Sequence, residues 1–210
     1  MNAIDDDHRD GIWRTLFKDN WLGDKQIIMT CHGQEFIKMI QQGLGAERVK
    51  NHCIYYEILP HDGNHHPAVD TSPRTKNYVL NAQDYIARQD SRNALSESRR
   101  ALESQSQRLW KWISNRISEP VEVKLKKPNE KPELNNLCTQ LRKLLNKKHF
   151  SHECKASLIE ALDALLGVNG NSLEWNYLNS GTHEDDRQEF DRGTVKLIVD
   201  AITKIDAALP

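Results

Sequence analysis

Four cysteines in 210 residues, none in a Cys-x-x-Cys pair, exclude the usual zinc ribbon and thioredoxin-type spacings. No apolar run approaches the roughly 18 residues that a membrane-spanning helix needs. The amino-terminal Met-Asn-Ala-Ile-Asp-Asp-Asp is acidic and lacks the apolar core of a secretion signal. Cys31, Cys53, Cys138 and Cys154 are therefore expected to be reduced thiols in a cytoplasmic protein with no membrane partner. There is no internal repeat. Nowhere does the chain carry Gly-x-x-x-x-Gly-Lys-Ser/Thr, so it lacks the loop whose backbone N–H groups cradle a nucleotide's phosphates.

A net charge of −1, with 38% hydrophobic and 28% charged residues, suits a globular protein with exposed helices. The charge is uneven: net −4 over residues 1–73, +9 over 74–155 and −6 over 156–210. A basic middle between acidic ends can meet nucleic acid or simply the chain's own ends.

Along the chain, Ile12, Trp13, Leu16 and Phe17 recur at helical spacing within residues 5–18, behind Asp5-Asp6-Asp7, where a helix dipole favours acids. Ile27-Ile28-Met29 is a short apolar run, as in a strand covered on both faces. Gln34–Gln42 reads as a helix, and Val49–Leu59 is rich in strand formers. Helix, strand, helix, strand predicts an α/β layer over residues 1–60. Pro60–Pro73 reads as a loop. Lys76–Ile117 reads as a long helix broken near Asp90, with Leu95, Leu102 and Leu109 every seven residues but Ser98 and Gln105 between them. The predicted segments are thus an α/β part at 1–60, a loop and long helix at 61–118, a Pro- and charge-rich linker at 119–132, and a helical bundle at 133–210. Within the bundle, Ser151 and Asp191 are candidate N-caps and Gly167 a helix stop.

Two short stretches carry a family resemblance. Ala3-Ile4-Asp5-Asp6-Asp7-His8-Arg9, then a helix, then Gln26-Ile27-Ile28-Met29-Thr30-Cys31-His32, resembles the end of an ABC-type ATPase head of the RecF and SMC branch. Ile4-Asp5 stands where that family has the Leu-Asp of its D-loop, and Thr30-Cys31-His32 stands for its switch-histidine motif. The resemblance covers about residues 1–60 and implies an α/β remnant of an ABC-ATPase head, followed by a mainly α-helical part. It implies Asp5, Thr30 and His32 as nucleotide-site residues, with His32 catalytic. A histidine at a strand end can donate a hydrogen bond to a γ-phosphate oxygen and stabilise charge as that phosphate leaves. Asp5 would cross the interface between two heads. Taken singly, His32 reads as a satisfied loop histidine and Asp5 as an N-cap.

The departures from that family limit what the chain can do alone. Besides the phosphate loop, the Leu-Ser-Gly-Gly-type signature is missing, and the Walker B strand that would lie just before Ala3 is absent. ATP and Mg²⁺ are expected only where that missing part is supplied; the expected partner is an upstream ATPase half or a second copy of this chain in a homo-oligomer. DNA is a further expected partner, since the resemblance implies DNA maintenance or phage defence. Unpaired at the edge, the Ile27–Met29 strand would favour self-association or a partner.

Two alternatives stand beside this reading. One is a non-enzymatic interaction module. The other is a HEPN-like ribonuclease, because Arg142 to His149 matches that family's loose Arg-x(4–6)-His pattern; a basic last helical turn is the plainer account. His61, Asp62, His65 and His66 have metal-ligand side chains but fit no standard spacing, so no metal is expected; His52–Cys53 and His152–Cys154 are two further ligand-type pairs. Leu178–Arg187 looks similar to the tails of large defence-associated ATPases, without implying a mechanism.

Overall fold

In a computed structural model of the protein, the structure describes residues 11–12, 14–18, 25–31, 33–59, 68–116, 133–147, 150–168, 170, 172–181 and 189–209. The chain divides into two compact units, Met1–Asn77 and Tyr78–Pro210. The described residues are mostly helical, with one small two-stranded sheet.

In the first unit, a single π-helical turn at Arg14–Lys18 precedes α1 (Gln34–Leu44) and α2 (Ala46–His52). The two helices are separated by Gly45, whose φ of 81° breaks the helical run and lets the chain restart at once. Strands β1 (Glu57–Leu59) and β2 (Ala68–Asp70) then pair antiparallel, with Ile58 opposite Val69. The carboxyl end of α1 is tied by polar groups. The buried Gln41 side chain accepts hydrogen bonds from Thr75 Oγ1 (2.9 Å) and Lys76 N (2.7 Å). Asn77, fully buried, donates to Gln41 O at 2.9 Å, and Gln42 donates to Lys76 O at 2.6 Å. These bonds satisfy amides that would be costly to bury unpaired.

This unit departs from the predicted α/β layer. Ile27, Ile28 and Met29 form no strand; Ile28 is 85% exposed. A strand exists only through its partners, and none of the described residues supplies one here. Val49 lies in α2 rather than a strand, because Ala46 and Val49, three apart, share a buried helical face. Only Glu57–Leu59 of the predicted Val49–Leu59 strand pairs, and its partner β2 falls in the stretch predicted as loop.

Among its described residues, the second unit is a bundle of six helices: α3 (Tyr78–Ala87), α4 (Ser91–Ser114), α5 (Leu134–Leu145), α6 (Lys155–Leu166), α7 (Leu173–Ser180) and α8 (Arg192–Ala208). Helices α4 and α8 form its centre. Helices α3, α5, α7 and α8 pack on α4, and α3, α4, α6 and α7 pack on α8. The seam of α4 buries Leu95, Leu102, Leu109 and Ile113, against a core that includes Leu141, Leu145, Leu158, Leu162 and Ile198. The break predicted near Asp90 is present: Gln89 has φ 66°, and Asp90 caps α4 by accepting from Asn93 N at 3.1 Å. Asp191 caps α8 as expected, accepting from Thr194 N at 2.8 Å. Ser151 does not cap α6, whose N-cap is Cys154; Gly167 (φ 62°) does end it. The predicted linker at 119–132 lies outside the described residues.

Candidate functional site

Residues 25–31 carry no regular secondary structure, and Gly33, in extended backbone, precedes α1. Gly33 is an N-cap without a side-chain cap, and Phe36 N donates to Gly33 O at 3.1 Å to close the first turn. Thr30 is exposed immediately before this entrance. Cys31 is partly buried and its thiol donates to Gly33 O at 3.8 Å; burial pushes the thiol up, and the hydrogen bond offsets part of that rise. Gln34 Nε2 donates to Glu57 Oε1 at 3.0 Å, tying the start of α1 to β1. Tyr55 is also pushed up, first by burial and then by the negative charge of Glu57, Cys31 and Asp70.

Asp5 and His32, the two residues on which the ATPase resemblance depends most, lie outside the described residues. Of the three predicted nucleotide-site residues the structure therefore places Thr30 alone, exposed and outside any helix or strand. The geometry supplies a helix start with one exposed polar side chain shortly before it.

The other sequence candidates separate clearly. His61, Asp62, His65, His66 and His149 lie outside the described residues. Among the described residues no group of three or more His, Cys, Asp or Glu side chains could hold a metal ion. Arg142 is described and its guanidinium is occupied. It donates to Asp163 Oδ1 at 3.1 Å and to Gly167 O at 2.7 Å, joining α5 to the carboxyl end of α6. A helix end carries partial negative charge and unpaired carbonyls, which an arginine satisfies well.

His52 and Cys53 are exposed neighbours at the end of α2. His152 and Cys154 do meet: Nδ1 lies 3.0 Å from Cys154 Sγ and accepts from Cys154 N at 3.3 Å. The Cys154 thiol is nonetheless pushed up, chiefly by burial, which outweighs the favourable charge of Arg116.

This pair belongs to a corner that sequence reading missed, where α4 ends and the chain passes from α5 to α6. The ring of Trp112 meets Phe150 and His152 edge-on, at centroid separations of 5.4 and 4.8 Å. The guanidinium of Arg116, in the turn just past the end of α4, sits 4.6 Å from the Trp112 ring centre. Lys155 Nζ donates to Phe150 O at 2.9 Å and to Lys147 O at 3.2 Å. The available signal was faint: bases concentrated over 74–155 and a tryptophan four residues before an arginine.

No protein-family model, no curated protein and no solved structure matches this chain.

Proposed function

We propose that this chain contributes one wall of an ATP site of the SMC and RecF type, in an assembly linked to DNA maintenance or phage defence. Residues 1–60 are then the remnant of an ABC-ATPase head, and the helical unit is its carboxyl-terminal extension. Thr30 and His32 face the γ-phosphate, and Asp5 couples two heads. The phosphate loop and the Mg²⁺-holding carboxylates come from another segment, in cis or in a partner polypeptide. One observation carries the reading: the order of Ile4-Asp5, a helical stretch, and Ile27-Ile28-Met29-Thr30-Cys31-His32 leading into α1. The exposure of Ile28 is in keeping with it, since that apolar run has the composition of a buried strand but no sheet neighbours among the described residues.

The chemistry follows from placement. A donor held against the γ-phosphate stabilises charge only when the nucleotide is already cradled, and this chain has no cradle of its own. Titration of Mg²⁺–ATP into the isolated chain, followed by calorimetry, is expected to give no saturable heat. Micromolar binding would overturn the proposal.

A further inference from the structure

The segments at the end of α4 and around the α5–α6 connection are rich in positive charge. Segments 111–116, 139–147 and 150–155 hold Lys111, Arg116, Arg142, Lys143, Lys147 and Lys155 against a single acid, Glu153. Arg142 is consumed by Asp163. Among the described residues, Arg116, Lys143 and Lys155 make no ion pair. Lys155 is fixed by two carbonyls, which orient its ammonium without cancelling its charge. Arg116 is held by the Trp112 ring, which again leaves the charge in place. Lys143 is exposed one turn before Lys147.

We infer that this corner is a contact surface for the phosphate backbone of duplex DNA. Two observations select that occupant. The aromatic rings here pack on one another and on Arg116, so Trp112, Phe150 and His152 do not offer the open stacking faces that single-strand binders use. Nor does the corner present an apolar anchor of the kind that centres a protein interface. The most exposed large apolar residues of this unit, Val168, Leu173 and Leu197, lie outside these segments. What remains is a set of cations, two of them oriented (Arg116 and Lys155), which fits phosphates and carries no base readout.

The inference deepens the DNA-linked part of the proposed function, but it is testable without nucleotide, so its failure leaves the ATP-site reading untouched. The experiment is fluorescence anisotropy of the full chain with a labelled 30-base-pair duplex, over a series of salt concentrations. Binding is expected to be independent of sequence. Its logarithm should fall against log salt with a slope of about −3 to −4, from about 0.9 ion released per phosphate contacted. The double variant Arg116→Glu/Lys143→Glu should weaken binding at least about tenfold at low salt and flatten the slope by about 2. A charge-matched control on other exposed positions, Lys50→Glu/Lys196→Glu, should change affinity less than about threefold, with both variants checked for native circular dichroism. The inference is overturned by absence of duplex binding at low salt, by equal effects of the two double variants, by tighter binding to a single strand, or by equal competition from poly-glutamate.

Discussion

At the scale of single residues, buried polarity is distributed unevenly. Gln105 is 2% exposed on the central seam of α4; its Nε2 donates to Ile202 O at 3.1 Å, while its Oε1 has no partner. Ser98, one heptad earlier, is fully buried and its hydroxyl is unpaired. An unpaired buried hydroxyl costs more than it contributes, so Ser98→Ala is expected to change stability by less than about 1 kcal/mol, or to raise it. Leu102→Ala, one turn on, should cost about 2–5 kcal/mol through lost burial and the cavity left behind. Urea unfolding of both variants checks the contrast. Cysteine chemistry follows burial in the same way. Cys138 is fully buried with its thiol pushed up to about 12, so only unfolding should expose it to alkylation, whereas Cys53 is exposed and should label in the native state. Mass spectrometry after native and denatured alkylation separates the two. The sequence showed Ser98 and Gln105 interrupting the leucine seam, and the structure places both inside it. A heptad pattern reports which side faces inward, but not whether a neighbour there can pair a polar group.

At the scale of elements, helix ends decide the geometry of the bundle. Asp191 accepts from the backbone and hydroxyl of Thr194, and these bonds hold its carboxyl below the usual aspartate range. A depressed carboxyl contributes stability above its unfolded pKa and loses it as pH falls through the lower, folded value. Asp191→Ala should therefore lower the melting temperature at pH 7, and the gap from the natural chain should close as pH drops below the ordinary aspartate range. Gly167 ends α6 with φ 62° and ψ −172°, where only glycine is at ease, and a Cβ would come 3.1 Å from Ser172 Cβ. Gly167→Ala is expected to cost about 1–3 kcal/mol by thermal or urea unfolding. Such ends were legible because Asp, Gly and the apolar periodicity act locally. Gly181 was not: a Cβ there would lie 2.5 Å from Leu95 Cβ, so the glycine permits α7 to approach α4. That constraint joins residues far apart in sequence. The first unit was the less legible for a similar reason. Val49, Ile54 and Tyr55 favour strands, yet Val49 entered α2 once Gly45 restarted a helix with Ala46 and Val49 inward. The composition of Ile27–Met29 calls for a strand, but strands need neighbours, and no described residue supplies one.

At the scale of the whole molecule, the two units differ in how they satisfy their apolar surface. Among the described residues the bundle buries most of its leucines, whereas the first unit leaves Ile28, Ile54, Tyr56, Ile58 and Val69 more than half exposed. No described helix is long and apolar enough to cross a membrane. A two-stranded sheet is marginal by itself. In the proposed reading the exposed run and hairpin belong beside the segment that brings the phosphate loop. The measurement that tests this most directly is ATP hydrolysis by the tagged full chain isolated, with whatever it binds, from the cells that make it. The account predicts that the isolated material contains Gly-x-x-x-x-Gly-Lys-Ser/Thr, joined to this chain or on a co-isolated polypeptide, no turnover by the 210-residue chain alone, and turnover by the assembly that falls about 10²- to 10³-fold with His32→Ala. Unchanged turnover by the His32→Ala assembly, or isolation with no phosphate loop in either form, would contradict it.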